Sequence, residues 1–432
     1  MTMQLKSLTA ERAYYALSAT QSLAFAVMFT VYTVYYVQMA RLDPLQLVLV
    51  GTTLELTCFL FDVPTGIVAD VYSRRLSILL GLFFLGAGFT LVGAVPLFAA
   101  ILIGQVISGV GYTFLSGATT AWLADEVGEQ NVGPILLRAG QMGRIAGLVG
   151  TGASVALASV ALNLPYLVGG GLILALGVFL VLFMPEHGFT PQPREGRNTW
   201  QNMWHGFRGG ARAMRGAPLL IMLLGVEFFM GASGEGFDRL GDAHLLANFT
   251  LPSLGALQPV VWFGILGIAG RLLSIAFVEP LRKRLEKASQ NPAATARGLL
   301  LFDALTAVCA LVFALTGNFW IAVAALMMRE AAFAAGDPLF HAWLVQNTRA
   351  DARATMISMV GQANALGQIA GGPGIGLIGK VVSLRTALAV AALLLAPALP
   401  FYARAAASPP APSPDREVLR SGDAPAVAEG QG

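Results

Sequence analysis

Residues 62–76 read Asp-Val-Pro-Thr-Gly-Ile-Val-Ala-Asp-Val-Tyr-Ser-Arg-Arg-Leu, and a long apolar segment lies on each side of this stretch. Three of its four charged residues, Asp70, Arg74 and Arg75, are confined to a short polar turn between the two segments. A helix needs about 20 mostly apolar residues to cross the hydrocarbon core of a bilayer. The stretch is therefore interpreted as a tight turn at a membrane surface, and it predicts a polytopic membrane protein.

The composition of the whole chain agrees with this interpretation. Hydrophobic residues make up 56% of the 432 residues and charged residues only 12%, whereas soluble domains carry about 25% charged residues. The formal net charge of +3 is too small to indicate nucleic-acid binding. Cys58 and Cys309 both fall in apolar segments, which argues against a disulfide framework and against a cysteine-based metal site.

Apolar segments of spanning length recur along the chain and predict an all-α protein with twelve transmembrane helices. They are expected near 13–39, 45–69, 76–95, 97–123, 134–160, 164–184, 218–246, 257–279, 298–316, 318–345, 354–379 and 384–402. A long polar interval, 185–217, divides them into two six-helix halves, 1–184 and 218–404.

The polar segments outside the spans are expected to lie in the cytoplasm. The interval 185–217 is interpreted as a linker, either a basic amphipathic helix on the anionic leaflet or a solvated connector. The tail 405–432 is rich in Ala, Pro, Ser and Gly and is predicted to be disordered. Most Lys and Arg residues in loops fall on the side of the N-terminus, and only Arg41, Lys380 and Arg385 fall on the other side. By the positive-inside rule both termini are expected in the cytoplasm.

The turn also carries a family signature. The spacing Gly66-x-x-x-Asp70-x-x-x-Arg74-Arg75 strongly resembles the loop between the second and third helices of major facilitator superfamily transporters. The resemblance implies that the glycine lets two helices approach closely and that the charges form a cytoplasmic cluster that opens and closes. It also implies alternating access between two pseudo-symmetric six-helix halves, and a monomer. Asp62 is included in this predicted conformational gate.

Internal repeats support the division into two halves. Shifting the sequence by 209 positions places the gate charges on a second acid followed by two bases, Glu279, Lys283 and Arg284. These three residues are predicted to form the corresponding gate of the second half. A parallel repeat of this kind suits halves related by an axis along the membrane normal.

The predicted function depends on ionisable residues within the spans, because each costs roughly 2.5–3.5 kcal/mol on insertion scales unless it faces a cavity or a partner. In the seventh span Glu235, Asp238, Arg239 and Asp242 recur at three- and four-residue steps and therefore share one helical face. The family resemblance implies that the first, fourth, seventh and tenth spans line a central cavity. The residues predicted to couple protons are Glu235, Asp238, Arg239, Glu330 and Asp337.

The substrate is expected to bind other polar and aromatic groups of the same cavity. The first span is unusually aromatic, and its rings could stack on a flat or cationic solute. The predicted cavity residues are Tyr32, Gln105, Tyr112, Arg144, Glu227 and Arg329. Gln105 begins a segment in which many proton-coupled members of the family have an arginine, and Arg144 is a possible replacement. The alternative, that some of these charges are structural ion pairs, stays open.

The sequences of residues 62–70 and of the segment Glu-Gly-Phe-Asp-Arg-Leu at 235–240 resemble those of bacterial exporters of the tetracycline and macrolide type. The resemblance implies proton-coupled efflux of a lipophilic or cationic small molecule across a bacterial inner membrane, with the proton gradient as energy source and no cofactor. Transport of a specific small metabolite is the alternative. An enzyme or a sensor is disfavoured because the sequence shows neither a clustered nucleophile or metal motif nor a further folded domain.

Overall fold

The computed structural model describes residues 8–191, 218–255, 258–348 and 353–407. These residues form twelve long helices: α1 (Ala10–Met39), α2 (Pro44–Val71), α3 (Arg74–Ala94), α4 (Phe98–Val127), α5 (Glu129–Val160), α6 (Leu164–Phe183), α7 (Pro218–Asn248), α8 (Val261–Ala288), α9 (Pro292–Leu315), α10 (Phe319–Gln346), α11 (Arg353–Val381) and α12 (Leu384–Ala407). The prediction of an all-α protein with twelve helices is confirmed.

Several helix ends differ from the predicted ones. α8 runs past 279 to Ala288 and α9 starts at Pro292, because the charged residues between them continue a helix instead of forming a loop. α12 continues to Ala407, so the predicted start of the tail at 405 is wrong. The rest of that tail, the residues 192–217 of the linker and the possible amphipathic helix lie outside the described residues.

Ten of the helices within the described residues are long and apolar enough to cross a membrane. The other two long helices are α7 and α11. α7 carries the charged residues Glu235, Asp238, Arg239 and Asp242, and α11 is rich in Gly and carries Gln362, Asn364 and Gln368. These two helices pack closely against each other, so each gives part of the other's polar surface a protein neighbour.

The two halves repeat one packing pattern. In the first half α1 packs on α5 and α6, α3 packs on α4 and α6, and α2 packs on α4. In the second half α7 packs on α11 and α12, α9 packs on α10 and α12, and α8 packs on α10. Adding six to every helix number in the first set of contacts gives the second set. This is the architecture of two pseudo-symmetric six-helix halves.

The halves meet mainly through α2 against α11, with further contacts of α5 against α8 and of α2 against α7. The same six-helix shift interchanges the first two pairs. We call the end of the bundle where α1 begins the N-terminal face, and the other end the opposite face. The α2–α11 contacts lie near the opposite face, where an added Cβ at Gly376 would be 3.1 Å from Leu45 Cα and one at Gly379 would be 3.0 Å from Pro44 Cβ. Lys380 Nζ also lies 2.9 Å from Asp43 Oδ2.

Polar caps fix where the helices that carry the site begin. Asp43 Oδ1 accepts a 2.9 Å hydrogen bond from the Gln46 N–H, and Gln46 Oε1 accepts one of 3.0 Å from the Asp43 N–H. This capping box starts α2 at the opposite face. Ser73 Oγ accepts from the Leu76 N–H at 2.8 Å and starts α3 at the N-terminal face.

Candidate functional site

A buried ion pair lies on α7 at the centre of the molecule. Arg239 Nε donates to Glu235 Oε1 at 3.2 Å, one helical turn apart. The Glu235 side chain is only 1% exposed, and its second oxygen, Oε2, has no hydrogen-bond partner among the described residues. A buried carboxylate with one free oxygen depends on its single cationic partner.

The pair lies directly in the interface between the halves. A Cβ added to Gly51 of α2 would be 1.9 Å from Glu235 Oε1 and 2.2 Å from Arg239 Nε. From the other side, a Cβ added to Gly372 of α11 would be 3.0 Å from Glu235 Cγ. Only glycine fits at position 51 without displacing the ion pair, so the backbone of α2 packs against it.

Further polar groups surround Arg239 on the cavity side. The Tyr32 hydroxyl of α1 donates to the backbone carbonyl of Asp238. Glu55 of α2 and Asp238 both lie within the electrostatic field of Arg239. The structure therefore brings together the predicted residues Glu235, Asp238, Arg239 and Tyr32. It adds Glu55, which the sequence shows only as one of many ionisable residues within a span.

A cavity of about 590 Å³ lies in the first half, below this cluster toward the N-terminal face. It is lined by Gln21, Phe25, Leu54, Glu55, Cys58, Asp62, Tyr112, Thr113, Leu115, Ser116, Gly117 and Thr119. Tyr112 is the predicted cavity residue found here. Asp62, predicted as part of the gate, also lines this cavity.

Gln105 belongs to the interior of the first half and does not line that cavity. It is 4% exposed, and its Nε2 donates to the Tyr36 hydroxyl at 3.3 Å. The Tyr166 hydroxyl donates to the same oxygen at 2.8 Å. The amide thus satisfies a buried tyrosine network that joins α1, α4 and α6.

The remaining predicted residues of the second half form separate groups. Asn364 Nδ2 donates to Glu227 Oε2 at 2.8 Å, which ties α7 to α11. Glu330, 49% exposed, pairs with its neighbour Arg329, and the Arg329 guanidinium lies 4.4 Å from the centre of the Phe237 ring. Within the described residues, Glu227, Glu330 and Arg329 have hydrogen-bond and ion-pair partners that differ from those of Glu235, so they do not form one cluster with it.

Two further predicted residues, Asp337 and Arg144, lie outside the Glu235 cluster, and Asp337 acts electrostatically on Glu227. Asp337 Oδ1 lies 3.7 Å from His341 Nε2 on the exposed side of α10. Arg144 is exposed on α5. No ion pair joins Arg144 to another residue within the described part of the chain.

The predicted gate is anchored by acids that the motif does not contain. Arg74 Nε lies 2.6 Å from Asp125 Oδ2 at the end of α4. Glu186, just after α6, accepts from the Arg75 N–H at 2.8 Å and from Ser73 Oγ at 2.7 Å. Only the positions of Asp125 and Glu186 at helix ends on the same face could have indicated these contacts from sequence.

The corresponding gate of the second half is built differently. Glu279 pairs with Arg282 at 3.2 Å on the exposed surface of α8, and the described residues include no ion-pair partner for Lys283 or Arg284. The predicted close approach at Gly66 is also missing from this conformation, since no described atom lies within 4 Å of a Cβ added there.

Two pseudo-symmetric six-helix halves with apolar helices of spanning length, a cavity in the first half and buried charges at their interface are features of a membrane transport protein. The description of the Major Facilitator Superfamily matches residues 15–290, and the chain belongs to that family. This family match does not establish the narrower prediction of a likeness to exporters of the tetracycline and macrolide type.

The similar proteins agree on the family and fold and differ in their substrates. The chain is 26% identical over 180 residues to YxaM of Bacillus subtilis (strain 168), an uncharacterised MFS-type transporter, and the match spans 42% of this chain and 43% of that protein. A mutant of the nucleoside transporter NupG superposes with a TM-score of 0.75 at 13% identity, over 92% of this chain and 100% of that one.

A bacterial homologue of the human lysosomal transporter Spinster, solved in an inward-facing and unoccupied conformation, gives a TM-score of 0.71 at 14% identity, over 92% of this chain and 96% of that one. At these identities the two structures show the fold alone.

Proposed function

We propose that this protein is a proton-coupled secondary transporter that exports a lipophilic or cationic small molecule by alternating access. The observation that carries the coupling is the buried Glu235–Arg239 pair, which α2 contacts through Gly51. A titratable pair that is buried only while the two halves are packed together links proton binding to the separation of the halves.

The physical mechanism follows from the charge balance. Protonation of Glu235 removes the negative charge that compensates Arg239, and an uncompensated buried charge is strongly unfavourable. Arg239 then turns toward Glu55 and Asp238, away from Gly51. The groups that face it from the packed helices are Tyr32 of α1, Glu55 of α2 and Tyr112 of α4, besides the acids of α7. This movement loosens the α2–α7 contact at the opposite face.

The orientation and direction are part of the proposal. The excess of Lys and Arg at the N-terminal face supports a cytoplasmic location of that face. The halves are in contact near the opposite face, which supports the assignment of this conformation as open to the cytoplasm under that orientation; the Spinster homologue was solved in an inward-facing conformation. A monomer in a bacterial inner membrane that loads its substrate in this state and exchanges it for a proton outside is an exporter.

The test is transport of ethidium in proteoliposomes with an imposed pH gradient. We expect gradient-dependent movement by the native protein and none by Glu235→Gln, while the matched exposed variant Glu129→Gln transports normally. Counterflow without a gradient should persist in Glu235→Gln, which shows that the variant is folded. Gradient-driven transport retained by Glu235→Gln would overturn the coupling role, and no movement of ethidium, tetracycline or a macrolide by the native protein would overturn drug export.

A further inference from the structure

We propose that the cationic group of the substrate binds in the first half, on the face of α2 formed by Glu55, Cys58 and Asp62, against the break in α4. The inference rests on the proposed transport function and specifies its substrate site. In this proposal the charge of the substrate is recognised by acids of α2, whereas the sequence pattern favours acids of α7 and α10.

The three residues share one wall of the cavity. Glu55, Cys58 and Asp62 are separated by three and four positions on α2 and therefore lie along one helical face. All three line the 590 Å³ cavity, whose volume falls in the range of about 300–1,000 Å³ typical of small-molecule sites. No hydrogen bond or ion pair is found for either carboxylate within the described residues. Both acids are therefore available to a ligand.

The facing wall is an interrupted helix. α4 consists of two segments, Phe98–Leu115 and Ala118–Val127, separated by Ser116 and Gly117. Gly117 has a φ of +72°, a conformation that only glycine adopts readily. Leu115, Ser116 and Gly117 all line the cavity, so the carboxyl end of the first segment lies at its wall. Interrupted helices also line substrate sites in other transporters.

The electrostatics of the α2 wall favour a cation. The break in α4 adds little net charge, because the negative carboxyl end of Phe98–Leu115 lies beside the positive amino end of Ala118–Val127. The negative potential therefore comes from Glu55 and Asp62. None of the described residues that line the cavity is basic. Arg239 acts on Glu55 from above the cavity, whereas Asp62 has no such neighbour among the charges that act on it. A cation near Cys58 would lie about one helical turn from each acid.

The aromatic residues define the rest of the ligand. Phe25 and Tyr112 line the cavity together, with ring centres 5.7 Å apart and planes inclined by 41°. Ring faces attract cations and stack on flat apolar groups. The expected ligand is therefore an organic cation with aromatic groups, such as tetraphenylphosphonium.

Cys58 provides a direct probe, because it lies between the two acids. In a Cys309→Ala background, the ratio of its modification rate by a trimethylammonium-ethyl methanethiosulfonate to that by the sulfonatoethyl reagent should exceed the ratio for a free thiol in the same buffer by at least about tenfold, since nearby carboxylates attract the cation and repel the anion. This excess should shrink in Asp62→Asn and nearly vanish in the double variant with Glu55→Gln. It should persist in Glu129→Gln, whose acid lies outside the cavity. A ratio in the native cavity equal to that of the free thiol would overturn the proposal.

Ligand protection completes the test. Tetraphenylphosphonium should slow the modification of Cys58, and tetraphenylborate, which has the same shape and the opposite charge, should not. Equal protection by both ions, or by neither, contradicts a cation site. The result is separable from the transport proposal: charge-selective protection with no gradient-driven flux would keep this site and reject proton-coupled export. Flux with a KM for tetraphenylphosphonium unchanged in Asp62→Asn would reject this site and keep the transport function.

Discussion

The two ends of the interface between the halves are built from the same helices and differ in packing. Near the opposite face, glycines of α2 and α11 bring backbone against backbone or side chain, with added-Cβ distances of 1.9 Å at Gly51 and 3.0 Å at Gly376. Near the N-terminal face, Gly66 of α2 and Gly361 of α11 have no described neighbour within 4 Å of an added Cβ. Glycines therefore occur at both ends, but in this conformation only those near the opposite face lie in close helix contacts.

Under the proposed alternating-access cycle, the glycines that have no close neighbour here would allow close packing in the other state of the cycle. In an alternating-access cycle each end closes in turn, so both ends need surfaces that allow close helix approach. We call the tightly packed part of the interface toward the opposite face the closed end, and the loosely packed part at the N-terminal face the open end. The closed end also contains the Glu235–Arg239 pair, whereas the open end carries the exposed ion pairs of α8. The end that is now closed thus contains the buried titratable group that can respond to protonation.

Removing the cation of the closed end should have the largest effect. Arg239→Gln leaves Glu235 buried without a compensating charge, which costs about 3–5 kcal/mol. Lower pH relieves this cost by protonating Glu235, so the loss in thermal stability in detergent should be larger at pH 8 than at pH 5. A loss that does not depend on pH would contradict the charge argument. The double variant Glu235→Gln/Arg239→Gln, which has no charge to compensate, should recover much of the stability.

Adding a methyl group separates the two ends directly. Gly51→Ala forces the ion pair or α2 to move and should cost about 1–3 kcal/mol, as overpacking does, with a strong loss of transport. Gly66→Ala, at the open end, should leave the melting temperature unchanged because its Cβ meets no described atom. Transport by Gly66→Ala should still slow, since that end has to close during the cycle. Equal melting temperatures for both variants would refute the comparison.

The gates of the two halves should respond unequally to loss of charge. Arg74→Gln breaks a 2.6 Å ion pair with Asp125 that is only partly exposed and should reduce turnover several-fold with little change in KM. The matched Lys283→Gln changes an α8 residue with no ion pair in the described structure. It should have almost no effect, since exposed charges contribute about 0–1 kcal/mol. A larger effect from Lys283→Gln would show that the second gate forms in another conformation.

The smallest effect is expected at the rim of the closed end. Burial raises the pKa of Asp43, but hydrogen bonds from Gln46 and Lys380 outweigh it and hold the pKa below its ordinary value. A lowered pKa stabilises the fold above the unfolded value of about 3.9 and loses that stabilisation as the pH falls through the folded value. Lys380→Gln should therefore cost less than about 1 kcal/mol at neutral pH, and its difference from the native protein should disappear below pH 3. A constant difference down to that pH would contradict this assignment.

The fold was predictable because apolar length and loop charge are local properties of the sequence. The helix ends that were missed, at Ala288, Pro292 and Ala407, are places where polar residues continue a helix outside the predicted span. The cluster on α7 was also predictable, since Glu235, Asp238 and Arg239 follow helical spacing.

The partners across helices were not predictable. Gly51 against Glu235, Asp125 against Arg74, and Glu55 beside Arg239 depend on how separate helices pack, and no spacing within one helix reports it. Glu330 and Glu227 show the opposite error, in which sequence positions suggest a shared site that this structure does not form. Their positions suggested a shared cavity, but the structure gives Glu330 a neighbouring arginine and gives Glu227 an amide of α11 as partner.

The most direct test measures both ends of the interface at once. In a protein whose two cysteines are replaced by alanine, spin labels at Arg41→Cys and Val382→Cys report the opposite face, and labels at Gln130→Cys and Glu286→Cys report the N-terminal face. We expect Glu235→Gln, or acidification of the native protein, to lengthen the first distance and shorten the second, while acidification of Glu235→Gln adds little. Distances that do not respond to Glu235→Gln, or that change in the same sense at both ends, would contradict proton-controlled alternation of the two ends.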